Sequence, residues 1–168
     1  MKARQVIIAL FLLFSTNFVF SQSKPWIGLS GTLQGSQFGI SVPMWLGEKF
    51  VLAPSIDIMY VEDVGADFGF ALATRFYLRE EAVKPYYGLR GGALFFTPSS
   101  ETFTNLDTRV DYLLGGLFGL EYFITPHLSA GVEAQANFTK SDEFSTRFGN
   151  PDKINFNTAT MVSITIYF

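Results

Sequence analysis

The last thirteen residues constrain this chain more than any other stretch. From Phe156 onward, Phe156, Thr158, Thr160, Val162, Ile164, Ile166 and Phe168 share one parity, while Asn157, Ala159, Met161, Ser163, Thr165 and Tyr167 share the other. Successive side chains of a strand point to opposite faces. The segment therefore reads as a strand with one apolar face that continues, and turns aromatic, at the final residue. That face is too continuous for an ordinary half-buried strand.

The opposite end of the chain speaks to compartment. Lys2 and Arg4 form a short basic region, Val6 to Phe14 is an unbroken apolar run, and Val19 and Ser21 stand three and one residues before a cleavage point ahead of Gln22. This layout predicts a secretory signal peptide, residues 1–21, and a mature domain, residues 22–168. A spanning helix needs about 20 apolar residues, and Ser15, Thr16 and Asn17 end the run sooner. Cleavage removes two bases and no acid, taking the net charge from −3 to −5. Nucleic acid calls for a basic patch, so none is expected as a partner. The absence of cysteine excludes disulfides and thiolate metal sites.

Only 16% of residues are charged against 48% hydrophobic and 17% aromatic, where soluble chains average about 25% charged. No apolar run after the signal could span a bilayer as a helix. If the chain enters a membrane it must do so by strands closed into a barrel, which alone share with helices the property of satisfying every backbone group in lipid. Alternation does recur in strand-sized segments: Trp26–Leu33, Gln37–Leu46, Phe50–Val61, Asp67–Leu78, Tyr86–Phe96, Arg109–Phe123, Leu128–Phe138 and Asn155–Phe168. Pro54 marks a bulge or an early-strand position in the third of these. The expected fold is all-β: an eight-stranded antiparallel up-and-down transmembrane barrel, with Phe156–Phe168 closing against Trp26–Leu33.

The connections alternate in length. Gly47–Lys49, Arg79–Lys84 and Ile124–His127 are short, whereas 97–108 and 139–154 are long and polar. With both termini on the short-turn side, the long connections become outer loops. Gln34–Ser36 and Glu62–Ala66 are outer connections too, but short.

A soluble barrel would also alternate, so the character of the polar parity decides between the two. It is mostly Gly, Ala, Ser, Thr and Asn rather than Lys and Glu, which suits a narrow enclosed interior. Its few charges, Asp57, Arg75, Arg90, Glu121 and Glu133, are of both signs, as an enclosed lumen requires. The other parity is bulky, with rings near strand ends (Phe50, Tyr60, Phe76, Tyr86, Tyr87, Phe95, Phe96, Tyr122, Phe123 and Phe168), the pattern of aromatic girdles at membrane interfaces.

On these residues the mature chain resembles the small outer-membrane β-barrel family of Gram-negative bacteria, the OmpX-like, OmpA-transmembrane-like and opacity-type proteins. Gln22 after the cleavage point is similar to exported proteins of Bacteroidetes. The resemblance implies residence in the outer membrane as a monomer, contact with membrane lipid and lipopolysaccharide, and assembly by the outer-membrane insertion machinery. Ile164, Ile166 and Phe168 look like the C-terminal assembly signal of that family. Ser163 fits the small residue that precedes it loosely, and Met161 departs from the pattern.

Some barrels of this type act on lipid A, so catalysis needs weighing. Acyl chemistry requires a nucleophile beside a base held by a third group. The single histidine, His127, follows Pro126 in a short turn on the inner side, away from the outer leaflet. No catalytic residue, cofactor or metal is expected. Asp142, Glu143 and Asp152 lack the spacing of a calcium loop. The lumen charges read as a structural network that plugs the barrel, with a gated ion path as the alternative. The expected role is non-enzymatic, structural or adhesive, exerted through outer loops 97–108 and 139–154, of which the last, Lys140 to Lys153, is expected to be mobile; the alternatives are a narrow porin-like path for small solutes and, behind it, a lipid A-modifying enzyme.

Overall fold

The computed structural model describes residues 26–79, 81–99 and 107–168. The expected signal peptide, residues 1–21, and the tip of the 97–108 loop lie outside these residues. Nine strand segments occur in chain order: β1 Gly28–Gln34, β2 Gln37–Ser41, β3 Met44–Trp45, β4 Phe50–Val61, β5 Gly65–Tyr77, β6 Val83–Pro98, β7 Arg109–Thr125, β8 Leu128–Lys140 and β9 Ile154–Tyr167. Each pairs antiparallel with its neighbours. β2 bonds both β1 and β4, so the sheet returns on itself.

Segments β2 and β3 are one barrel strand interrupted at Val42 and Pro43, which makes the ring eight-stranded. Register is unchanged across the break, since Ser41 faces Ser55 and Met44 faces Leu52. A proline has no N–H to give a ladder, and here Pro43 and Pro54 lie on the two facing strands. The Val42 amide donates to the Pro54 carbonyl at 2.9 Å, but the missing N–H of Pro54 falls on the same side. The sequence reading of Gln37–Leu46 as one unbroken strand is corrected accordingly. Pro54 makes no bulge: it lies in the first half of β4, in unbroken register opposite Leu72.

Closure joins the first strand to the last. β1 runs antiparallel to β9 from Gly28 opposite Tyr167 to Gln34 opposite Met161, and inside this seam Thr165 Oγ1 donates to Ser30 Oγ at 2.9 Å. The Trp26 amide donates to the Phe168 carbonyl at 3.1 Å and the Phe168 amide to the Ile27 carbonyl at 2.8 Å, so both ends of the described chain lie on the rim that carries the short turns.

The two faces divide as the alternation requires. Leu29, Phe38, Ile56, Phe70, Leu114, Phe118 and Ile164 are among more than thirty large apolar residues left exposed, while Ser30, Thr32, Arg75, Glu121, Gln135 and Thr165 are buried. A soluble monomer rarely leaves an apolar patch above a few hundred Å²; this one would have a belt. The lumen is not wholly polar, because Val51, Leu113, Leu117 and Met161 also point inward. Among the described residues no helix is long and apolar enough to cross a membrane, which says nothing of crossing by strands.

Candidate functional site: the filled lumen and its two mouths

Glycines on the inner parity clear the space that the lumen side chains fill. A Cβ on Gly119 would overlap the Tyr86 ring, and one on Gly39 would overlap the Asp57 carboxylate. In that space a polar network crosses the barrel from wall to wall. Arg75 Nη2 pairs with Glu133 Oε2 at 3.1 Å, both side chains almost fully buried. Glu133 also accepts from the Tyr86 hydroxyl at 3.0 Å and from Gln135 Nε2 at 2.7 Å. The Arg75 guanidinium lies 5.0 Å above the Tyr86 ring, a cation–π contact.

Glu121 has no arginine of its own. Its carboxylate instead accepts from three hydroxyls: Tyr167 at 2.9 Å, Tyr77 and Ser129. Arg90 donates to Gln135 and, at 3.5 Å, to Gln34. Asp57 is half-buried and shares with Arg75 and Arg90 the lining of the central void. Thus the structure places all five charges named from the sequence on the lumen side, with Arg75 joined to Glu133, Arg90 tied to amides, and Glu121 tied to hydroxyls. The void between them is about 20 Å³, room for roughly one water. Eight-stranded barrels have interiors that side chains just fill, and this one follows that rule.

The long β8–β9 connection closes the outer mouth. Arg147 reaches down from it and forks across two carboxylates on the lumen wall, with Nη2 3.0 Å from Asp67 Oδ1, Nη1 also on Asp67, and Nε 3.0 Å from Asp111 Oδ2. Asp111 accepts in addition from the Ser145 hydroxyl at 2.8 Å and from the Asp142 amide at 2.9 Å. Bidentate arginine–carboxylate pairs add geometric definition to their charge. The 139–154 loop, expected to be mobile, is therefore tied to β5 and β7 at its middle. At its margin the Lys140 ammonium holds Asp152, 2.6 Å away, below the usual carboxylate range, chiefly through its hydrogen bond.

The inner mouth carries the short turns, His127 and the C-terminus. His127 Nδ1 lies 3.0 Å from the Tyr167 carbonyl; it donates there, which leaves Nε2 as the acceptor. Ile164, Ile166 and Phe168 all face outward and are 63%, 51% and 66% exposed. Among the described residues no group of His, Asp and Glu is arranged to hold a metal.

Sequence reasoning gave no role in the lumen to Tyr77, Tyr167, Gln34, Ser129 or Gln135, and none at the mouth to Asp67, Asp111 or Arg147. Three aromatic assignments are corrected: Tyr86 points inward and is buried, Phe96 falls on the same inward parity, opposite Asp67, and Phe123 lines the inner mouth rather than the outer face. Parity held the signal, since Tyr86 keeps step with Gly88 and Arg90, and Phe123 with Gly119 and Glu121. No local signal pairs Arg147 with Asp67, which stands eighty residues away.

No protein-family model matches the sequence, and comparison with curated proteins finds no relative. Solved structures do resemble it in fold. The N-terminal β-barrel domain of Pseudomonas aeruginosa OprF superposes with a TM-score of 0.60 at 15% identity, over 84% of this chain and 95% of that one. Neisserial surface protein A superposes with a TM-score of 0.59 at 13% identity, over 84% and 93%. At such identities the likeness is one of fold: a small, closed antiparallel barrel of eight strands.

Proposed function

We propose that the chain is a non-enzymatic integral protein of the bacterial outer membrane, a monomeric barrel that serves an envelope-structural or surface-contact role through its outer loops, 97–108 and 139–154. The observation that carries this reading is the contrast between the two faces of the wall. An apolar belt outside calls for lipid, while the lumen is filled by bonded side chains down to a void of about 20 Å³. A lumen so filled argues against a solute path. Long connections on a rigid scaffold are where recognition is usually grafted, and Arg147 gives one of them a fixed shape to present. His127 sits at the opposite rim from the long connections, away from the outer leaflet in which a lipid A-modifying base would have to act. Outer-membrane lipid and lipopolysaccharide are the surroundings this reading implies. The insertion machinery is the partner implied for Ile164, Ile166 and Phe168.

The test joins fractionation to conductance. The protein should sediment with the outer membrane, run faster on a gel before boiling than after, and pass no steady current in a planar bilayer. Recovery in the periplasm without a heat-dependent shift would sink the membrane assignment. A stable ohmic current from the unmodified barrel would favour the porin-like alternative.

A further inference from the structure

The inner mouth opens on a cavity of about 590 Å³, within the usual size range of small-ligand sites. Its walls are rings. Trp45 lies 6.5 Å from Phe123 and 6.4 Å from Tyr167, Phe123 stacks on Tyr167 at 5.6 Å, and Trp26 completes the lining. The charged residues among the lining are Glu48, Glu81 and Lys84, a net charge of one negative. The Lys84 ammonium stands 4.4 Å from the centre of the Phe123 ring and 5.3 Å from that of Trp45. Among the described residues no carboxylate lies within ion-pairing distance of it.

We propose that this cavity binds an organic cation with an apolar body, and that Lys84 is its resident competitor. Ring faces carry the negative lobe of the aromatic quadrupole and attract cations within about 6 Å. The chain's own ammonium already rests against two of these faces, with no ion pair among the described residues, so the walls are arranged to receive a cation. Its four-carbon stem lets it leave when a ligand brings a better-fitting ammonium. An anionic amphiphile would meet two glutamates and four ring faces, with Lys84 alone in its favour.

Trp26 and Trp45 are the two tryptophans of the whole sequence, so intrinsic fluorescence reads this cavity without background. The refolded barrel in a non-ionic detergent is titrated with benzyltrimethylammonium and, separately, with phenylacetate. The cation should give a saturable change and phenylacetate none. Lys84→Gln should tighten the cation about fivefold by removing the competitor, and Phe123→Leu should weaken it by about the same factor. The boiling-dependent gel shift confirms that each variant is folded, and the two probes on the unmodified protein decide the matter if a variant is not. Saturable phenylacetate binding that Lys84→Gln abolishes would overturn the proposal in favour of an anion site. Absence of any saturable response to the cation, in both the unmodified protein and Lys84→Gln, would overturn it outright.

Discussion

Replacing Arg75 by Met tests whether the lumen charges hold the barrel together or guard a path through it. The substitution keeps much of the side-chain length and removes the charge, leaving Glu133 without its arginine in a site where its side chain is 2% exposed. Removing one partner of a buried pair costs about 3–5 kcal/mol. Glu133 keeps two donors, Tyr86 and Gln135, which places the loss near the lower end; the lost Arg75–Tyr86 contact at 5.0 Å adds about 1 kcal/mol. The expected total is about 4 kcal/mol, read from urea unfolding of the barrel in lipid vesicles by the gel shift. A second variant isolates the cause. Glu133→Gln keeps one acceptor oxygen for Gln135 and offers an NH2 that the Tyr86 hydroxyl can accept from, so it should destabilise the unmodified protein yet stabilise Arg75→Met, a reversal of sign that a stranded charge explains. Conductance should stay at baseline throughout. A loss below about 1 kcal/mol accompanied by a large new current would refute the reasoning and make the pair a gate.

Other outcomes follow from the same geometry. Arg147→Gln should free the β8–β9 connection, seen as faster amide exchange at Ser145 and protease cleavage within 141–153, at a cost of about 2–4 kcal/mol because Asp67 and Asp111 stay buried. Gly119→Ala should displace the Tyr86 ring and cost about 1–3 kcal/mol, the usual range for overpacking, with the Tyr86–Glu133 bond lost. Deleting Phe168 should lower the yield of assembled barrel in cells far more than the unfolding free energy of the refolded protein, because its exposed ring gives up little packing. Asp152 should titrate below an ordinary aspartate by NMR. Since its pKa is depressed in the folded state, its contribution is present at neutral pH and disappears as pH falls through that lowered value. Lys140→Gln should return it to the usual range.

The wall of the barrel was readable from the sequence because its information is periodic. In β9 each step of two residues returns to the same side, and Phe156 to Phe168 shows lipid-facing and lumen-facing sets without any tertiary knowledge. The break at Pro43 was not readable, because its reason lies across the ladder at Pro54 rather than beside it. Tyr86 misled for a chemical reason: a ring near a strand end suits a membrane girdle as well as a lumen, and only parity with Arg90 separates the two. At the outer mouth the limit was distance. Arg147 meets Asp67 and Asp111 because three loops and strands converge there, and a lone arginine in a polar loop carries no mark of such a destination.

The seam between β1 and β9 has a consequence for how the molecule would sit in a bilayer. β1 stops at Gln34, opposite Met161, while β9 continues from there through Thr160 to Ile154 without a partner on that side. Seven further residues at about 3.3 Å each extend that strand about 23 Å past its neighbour. The outer rim is therefore a ramp, lowest at the Gly35 turn. β1 has little length to spare against an apolar band about 25 Å tall, so the low side fixes the depth of immersion and the tall side must protrude. Phe138 and Phe156, packed 5.3 Å apart, lie on that tall side five residues past Met161, and the Arg147-bound connection beyond them would stand clear of the headgroups instead of lying among them.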